Sequence, residues 1–348
     1  MLSLFFDAVL ALALPLLAWR VLTTRDLYRA VILFIAFGLL VALSWARLDA
    51  PDIALAEAAI GAGLTGALFL NTVGGLVGRK RSPSRESDES REVAERREAI
   101  QSSPGEPVDE VMRPWWVRLA LTVPILALGL ALGWAVVSFP EPAIDLAQQA
   151  SDNLEASGVD HGVTAVLLNF RSYDTLLEIG VLLLAVVAVW SLDLGRVRGG
   201  QAALSKGLPV LHGLVRLLTP IMIIVGGYLL WAGAKQPGGA FQAGAVLGAL
   251  GVLLVLSGLV RPPLSDGSGL RIGLAVGFAV FLGIGTAVML ATGELLNYPP
   301  ASTYGLIIII ELFLTVSIAL TLAALFVTAP PRKEQGSKEH SEEKGEES

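Results

Sequence analysis

The run DIALAEAAIGAGLTGALFL, Asp52 to Leu70, is apolar enough to cross a bilayer and carries one internal carboxylate, Glu57. A charged side chain at mid-bilayer costs about 2.5–3.5 kcal/mol even on the lenient insertion scale, so something must offset it. Ala54, Ala58, Ala62 and Gly66 recur at four-residue spacing. Small residues on one helix face let another helix pack closely. The helix is therefore expected inside a bundle with its acid enclosed. The plain alternative is a Glu57 hydrated near the outer end of the span.

The surrounding chain has the composition of an integral membrane protein. Of 348 residues, 54% are hydrophobic and 16% charged, against about 25% charged in an ordinary soluble domain. There is no cysteine, which excludes disulfides, thiolate metal sites and a cysteine nucleophile. The three histidines, His161, His212 and His340, offer no pair at helical ligand spacing, so neither a metal site nor a cofactor is expected. No nucleophile–base constellation, phosphate loop or dinucleotide fingerprint stands out. Neither an enzyme nor a nucleic-acid partner is expected.

Spanning helices need about 20 apolar residues. Nine such runs lie near 2–22, 28–47, 52–78, 115–138, 173–194, 208–232, 240–260, 270–292 and 303–327. The expected fold is an all-α polytopic membrane protein of about nine transmembrane helices. Residues 79–113 and 330–348 are charged and read as solvated linker and tail; Glu92 and Arg96, at i,i+4, would support a helical piece over 89–100. The first helix has no basic segment before it and contains Pro15, so it reads as a retained span rather than a cleaved signal.

Basic residues set the expected orientation. Arg20, Arg25, Arg29, the cluster Arg79–Arg81, Arg196, Arg198, Lys206, Arg261, Arg271, Arg332 and Lys333 fall in alternate loops, and the opposite loops hold only Arg47, Arg171 and Lys235. The N-terminus is expected outside and the C-terminus in the cytoplasm. The outside loop from Phe139 to Arg171 is acidic. It reads as an ordinary solvated loop, with a short surface helix over 143–156 as the alternative.

Three more acids enter the spans. Asp174 and Glu178 are four residues apart and share a helix face. Two carboxylates buried that close cannot both ionise cheaply, which suits proton exchange. Asp174 could equally be a first-turn acid complementing the helix dipole. Glu311 follows the apolar run Leu306–Ile310. With the proposed threading, Glu57, Asp174, Glu178 and Glu311 all fall in the outer halves of their helices. His212 and Arg216 enter the sixth helix from the inner side, four apart. Both are further candidates for the ion or proton path; the plain alternatives are a structural place at the interface for His212 and snorkelling to the inner surface for Arg216. The segment GAKQPGGAFQAG, Gly233–Gly244, contains Pro237, Gly238, Gly239 and Phe241 and reads as a tight turn between two spans. Gly244 and Gly248 beyond it make a small-residue face.

These pieces resemble a known family. APDIALAEAAIGAGLTGALFL resembles the three-helix domain of the D-type subunits of hydrogenase membrane arms, also found in the C-terminal part of the A-type subunit of Mrp antiporters. TAVLLNFRSYDTLLEIGVLLLAVVAVWSL resembles the two-helix, E-type domain that follows it in those systems. RLLTPIMIIVGGYLLWAGAKQPGGAFQAGAVLGA is similar to the start of the B-type Mrp subunit. The implied organisation is a D-like domain over 1–78, a cytoplasmic linker over 79–113, an E-like domain over 114–206, a B-like domain over 207–329 and a cytoplasmic tail over 330–348. The resemblance implies one component of a multisubunit Na+/H+ antiporter in a prokaryotic plasma membrane, partnered by other Mrp-type subunits. A membrane-arm component of a hydrogenase-like or respiratory redox complex is the alternative. It implies an ion or proton path through Glu57, Asp174 and Glu178, with Glu311 where the B-type chain tends to have an acid.

The sequence departs from the family at several points. Ala234 and Lys235 stand where the turn of the B-type chain has His-Asn, Ala240 replaces its third glycine, and Asn169 stands where Asp is common. No span has a central lysine, so transport is expected to require partner subunits.

Overall fold

The computed structural model describes residues 2–78, 115–139, 145–191, 209–260 and 268–327. The helical piece expected over 89–100 and the charged linker and tail lie outside the described residues. All regular elements among the described residues are helical, and each of the nine apolar runs has a helical counterpart. Seven are long and apolar enough to cross a membrane, and two apolar helices are shorter.

The first two spans are α1 (Leu2–Thr23) and α2 (Leu27–Arg47). Asp26 caps α2, its side chain accepting from the Tyr28 and Arg29 backbone N–H groups, which satisfies two otherwise orphaned donors. The third span comprises α3 (Pro51–Ala56), a π-helical segment π1 (Glu57–Leu64) and α4 (Thr65–Gly78). Later elements are α5 (Trp115–Val137), α6 (Leu146–Asp152), α7 (Gly162–Ala165), a second π segment π2 (Val166–Phe170), α8 (Ser172–Ser191), α9 (Pro209–Ala232), α10 (Ala240–Leu256), α11 (Ser268–Thr292) and α12 (Thr303–Val327).

The chain divides into two compact units, one drawn from Met1–Arg79 and Gln149–Ser348, the other from Lys80–Gln148. The smaller holds α5, with Pro124 inside the helix. The larger is built around α12. Ile307, Ile310, Leu314, Ile318 and Leu322 recur every three or four residues and are buried, so one face of α12 forms the core. Glycines let neighbouring helices reach that face. A Cβ at Gly244 of α10 would stand 2.7 Å from Ile318 Cγ2, and one at Gly248 would stand 3.1 Å from Leu322 Cβ. On α11, Gly277 faces Ser317 in the same way, and the Ser317 hydroxyl donates to the Leu274 carbonyl. In lipid there is little hydrophobic drive between helices, so close backbone approach and interhelical hydrogen bonds do the holding.

The small residues of the third span meet α2. Ala62 is fully buried, and a Cβ on Gly38 of α2 would lie 2.9 Å from its Cβ; Gly66 packs against Ile35. The four-residue ladder does not run straight, however. The π segment from Glu57 changes the rise and turn of the helix, because its backbone bonds span five residues instead of four.

The acidic loop is more ordered than the expected solvated loop. It forms α6, a 3-10 turn at Glu155–Ser157, then α7 and π2. Asp145 accepts from the Gln148 N–H at the start of α6, which makes it an N-cap. Ser157, Val159, Thr164 and Ala165 are buried, and that burial anchors the loop.

Replacing Gly248 by leucine should destabilise the protein, because overpacking a tight helix contact costs about 1–3 kcal/mol. Gly305→Ala is the control: a Cβ there meets nothing within 4 Å, and alanine favours a helix. Thermal unfolding of the detergent-solubilised protein should show a clear drop for Gly248→Leu and none for Gly305→Ala.

Candidate functional site

The link between α9 and α10, residues 233–239, is tightly approached backbone. The Gly239 N–H donates to the Leu229 carbonyl at 2.8 Å. A Cβ at Gly238 would sit 2.5 Å from that same carbonyl oxygen, and one at Gly233 would sit 2.4 Å from the Gly239 Cα. Gly239 has φ +104, a region in which any residue with a Cβ is strained. The turn residues Pro237, Gly238 and Gly239 therefore form the tight link that their types predict, with Phe241 packed against the core beyond it.

Two loops from elsewhere in the chain close on this turn. The Asp160 and His161 N–H groups both donate to the Ala234 carbonyl, at 2.9 and 3.1 Å. The Thr164 hydroxyl donates to the Gly233 carbonyl. From the start of α3, the buried Asp52 carboxylate reaches in. Its Oδ1 accepts from the Gly238 N–H at 2.9 Å, and its Oδ2 lies 2.8 Å from His161 Nε2. Gln242 Nε2 donates to the Asp52 carbonyl and to Oδ1, at 3.3 and 3.4 Å. Hydrogen bonds to a charged group are about twice as strong as neutral ones, so this carboxylate is a firm anchor for the turn.

Glu311 of α12 stands on the other side of the same turn. It is 2% exposed. Its carboxylate lies beside the Ala240 backbone, at the start of α10, where the helix dipole favours negative charge. Its Oε1 would be 2.7 Å from a Cβ on Gly239, so only glycine leaves room for it. Its Oε2 is buried with no hydrogen-bond partner among the described residues. In the loop ahead of α12, burial pushes the Tyr298 phenol above its ordinary range.

The other residues singled out in the sequence are spread around this centre. Glu57 opens π1, half-buried, with its carboxylate folded over Gly61. Asp174 is exposed in the first turn of α8 and paired with Arg171, which is the dipole-complementing position. Glu178 lies one turn deeper on the same exposed face of α8. The two acids share a face as their spacing predicts, but that face is not buried within this chain. On α9, His212 is half-buried and Arg216 exposed, and the two are not brought to the turn. Asn169 lies in π2 and its amide donates to the Ser157 carbonyl at 2.9 Å, a bond an ionised aspartate could not make.

Sequence reasoning does not single out Asp52, His161 or Gln242. Asp52 follows Pro51 at a helix start and reads as an ordinary first-turn acid. His161 draws attention only as a metal ligand. The signal that could have joined them is proximity to the quoted motifs: Asp52 opens the same run as Glu57, and His161 lies just ahead of the two-helix motif that begins at Thr164.

Spanning helices, an enclosed acid and a glycine turn held by a second acid define a polytopic membrane protein with polar chemistry inside the bundle. The MbhD family, the D subunit of MBH, matches residues 12–76, and the domain related to the MnhB subunit of Na+/H+ antiporter matches residues 210–328. The chain thus carries an MbhD domain followed by an MnhB-related domain, as the quoted motifs suggest. In fold it is similar to a chain of the Mrp complex from Dietzia sp. DQ12-45-1b, with 20% identity, a TM-score of 0.69 and 95% of this chain covered. It spans 35% of the length of that chain. A chain of the membrane-bound sulfane sulfur reductase, an archaeal respiratory membrane complex, gives 25% identity over 63% of this chain and 98% of its own, at a TM-score of 0.49. No curated protein matches the chain.

Asn169→Asp should weaken the loop against the bundle. A carboxylate opposed to the Ser157 carbonyl loses the bond and leaves an unsatisfied acceptor, at a cost of about 1–3 kcal/mol. The sign with pH follows: once protonated, the new acid can donate again, so the deficit should shrink at acid pH. Thermal unfolding at neutral and acid pH checks both.

Proposed function

We propose that this chain is one component of a multisubunit Mrp-type antiporter that exchanges a monovalent cation, Na+ in the first instance, for H+. It would sit in a prokaryotic plasma membrane with its N-terminus outside and its C-terminus in the cytoplasm, packed against antiporter-like subunits. The division into D-like (1–78), E-like (114–206) and B-like (207–329) parts belongs to this reading, with 79–113 and 330–348 on the cytoplasmic side. The MnhB-related domain and the shared fold support it.

The observation that carries it is Glu311: a buried carboxylate whose Oε2 is enclosed with no hydrogen-bond partner among the described residues. Such a group is expensive unless it binds a proton or a cation. Glu57 sits where a π segment perturbs the helix, a feature frequent at functional sites. Glu178 is a spanning acid on a face that a partner subunit would cover, since lipid exposure is costly. Asp174, paired with Arg171 at the entrance of α8, would act at the mouth of the path.

The test is antiport by the intact complex reconstituted in vesicles. Glu311→Gln and Glu57→Gln should each leave assembly intact and cut exchange by at least about a hundredfold, the lower range of what a positioned proton-transfer group supplies. Normal exchange in an assembled Glu311→Gln complex would sink the reading.

The match to the MbhD family favours a second reading, a membrane-arm component of a hydrogenase-like or respiratory complex whose redox groups lie on other chains. The chains that co-purify with the intact complex discriminate: small Mrp-type subunits support the first, dehydrogenase- or hydrogenase-like chains the second.

A further inference from the structure

One side of α8 is buried and the other is bare. Leu176, Ile179 and Val186 are 4%, 2% and 1% exposed, whereas Leu177, Val181 and Leu184 are 51%, 63% and 65% exposed. With Asp174 and Ala188, also exposed, these three form a stripe at steps of three, four, three and four residues. A repeat of 3.5 residues is the seam along which two helices pack knobs into holes, and most transmembrane bundles cross in the same way. Glu178 is exposed on this stripe, between Leu177 and Val181. We propose that this face of α8 docks a spanning helix of a partner subunit that carries a lysine or arginine opposite Glu178. This rests on the reading of the chain as one component of a multisubunit membrane complex.

The charge decides the occupant. Arg171 pairs with Asp174 at 2.5 Å. Glu178 lies one turn further in, about 6 Å deeper along the helix, and among the described residues no cation pairs with it. Lipid tails offer an ionised acid nothing. Charged groups inside spans almost always face protein and pair with one another. A partner helix with a base meets both needs of the face, because its apolar side chains cover the stripe and its cation meets the acid.

Two other occupants fit less well. A second copy of this chain using the same face would set Glu178 against Glu178, since a two-fold contact places one patch on itself, and like charges repel. Within this chain, α5 has its one basic residue, Arg118, in its first turn, at the end remote from the loop that leads to α8. Glu178 lies near the start of α8.

The experiment uses the intact complex with a photo-crosslinking phenylalanine analogue at Leu177 or at Val181, the stripe positions that flank Glu178. After irradiation the joined peptides are identified by mass spectrometry. The expected product links α8 to a spanning segment of a partner subunit with a lysine or arginine within two helical turns of the crosslinked position. A charge exchange then tests the pair. Glu178→Lys should lower recovery of that partner by at least about tenfold, the worth of one bond to a charged group. Changing the identified base to glutamate should restore recovery in the Glu178→Lys complex. Crosslinks to lipid alone or none at all, to α5, to a second copy or to a partner segment without a base would each overturn the proposal. So would unchanged recovery with Glu178→Lys, or a loss that the exchanged base does not restore. If partner chains co-purify and the crosslinks miss a base, the docking proposal fails and the reading as a component of a multisubunit complex stands. If the chain purifies with no partner, that reading fails.

Discussion

The Asp52 carboxylate is shared between three segments far apart in the chain: the start of α3, the loop that carries His161, and the turn ahead of α10. Breaking a buried, hydrogen-bonded charge by removing one partner costs about 3–5 kcal/mol, so these segments are not independently placed. The Ala234 carbonyl reinforces the tie by accepting two N–H groups from the same loop. The stretch that matches the MbhD family and the stretch that matches the MnhB-related domain are thereby fastened to each other at a polar point.

The glycines make that point reachable. Gly238 and Gly239 carry no Cβ to collide with the Leu229 carbonyl or the Glu311 carboxylate. Gly244 and Gly248 bring α10 against the buried face of α12, which sets Glu311 against Gly239 at the start of α10. The 17 residues of α10 rise about 26 Å, short of a hydrocarbon core of about 30 Å. Buried, irregular backbone next to a short helix is tolerated only where protein surrounds it, and the buried Ala234, Gly238 and Gly239 meet that condition.

Much of this was legible in the sequence. Apolar runs mark the nine apolar helices among the described residues, because length and hydropathy are what a bilayer selects. Gly244 and Gly248 announce a close helix contact, and Pro237-Gly238-Gly239 announces the turn. Glu311 is visible as an acid amid isoleucines. The Asp52–His161 contact is not, because it joins residues from two parts of the chain whose local readings are both ordinary. Nor are π1 and π2, since a five-residue bond pattern leaves no periodicity that a four-residue ladder would not also show. Asp174 and Glu178 show the limit of spacing arguments: a shared face follows from helix geometry, but whether that face is buried depends on what packs against it.

The tie itself is best tested by amide hydrogen exchange on the intact complex, followed at peptides covering 233–242. The Gly238 N–H bonded to Asp52 should exchange slowly, and Asp52→Ala should speed it by about tenfold or more, the equivalent of a lost bond to a charged group worth about 1.5–3 kcal/mol. Exchange at the same rate in the Asp52→Ala complex would contradict the account, because the turn would then be held by its own glycines and not by the carboxylate.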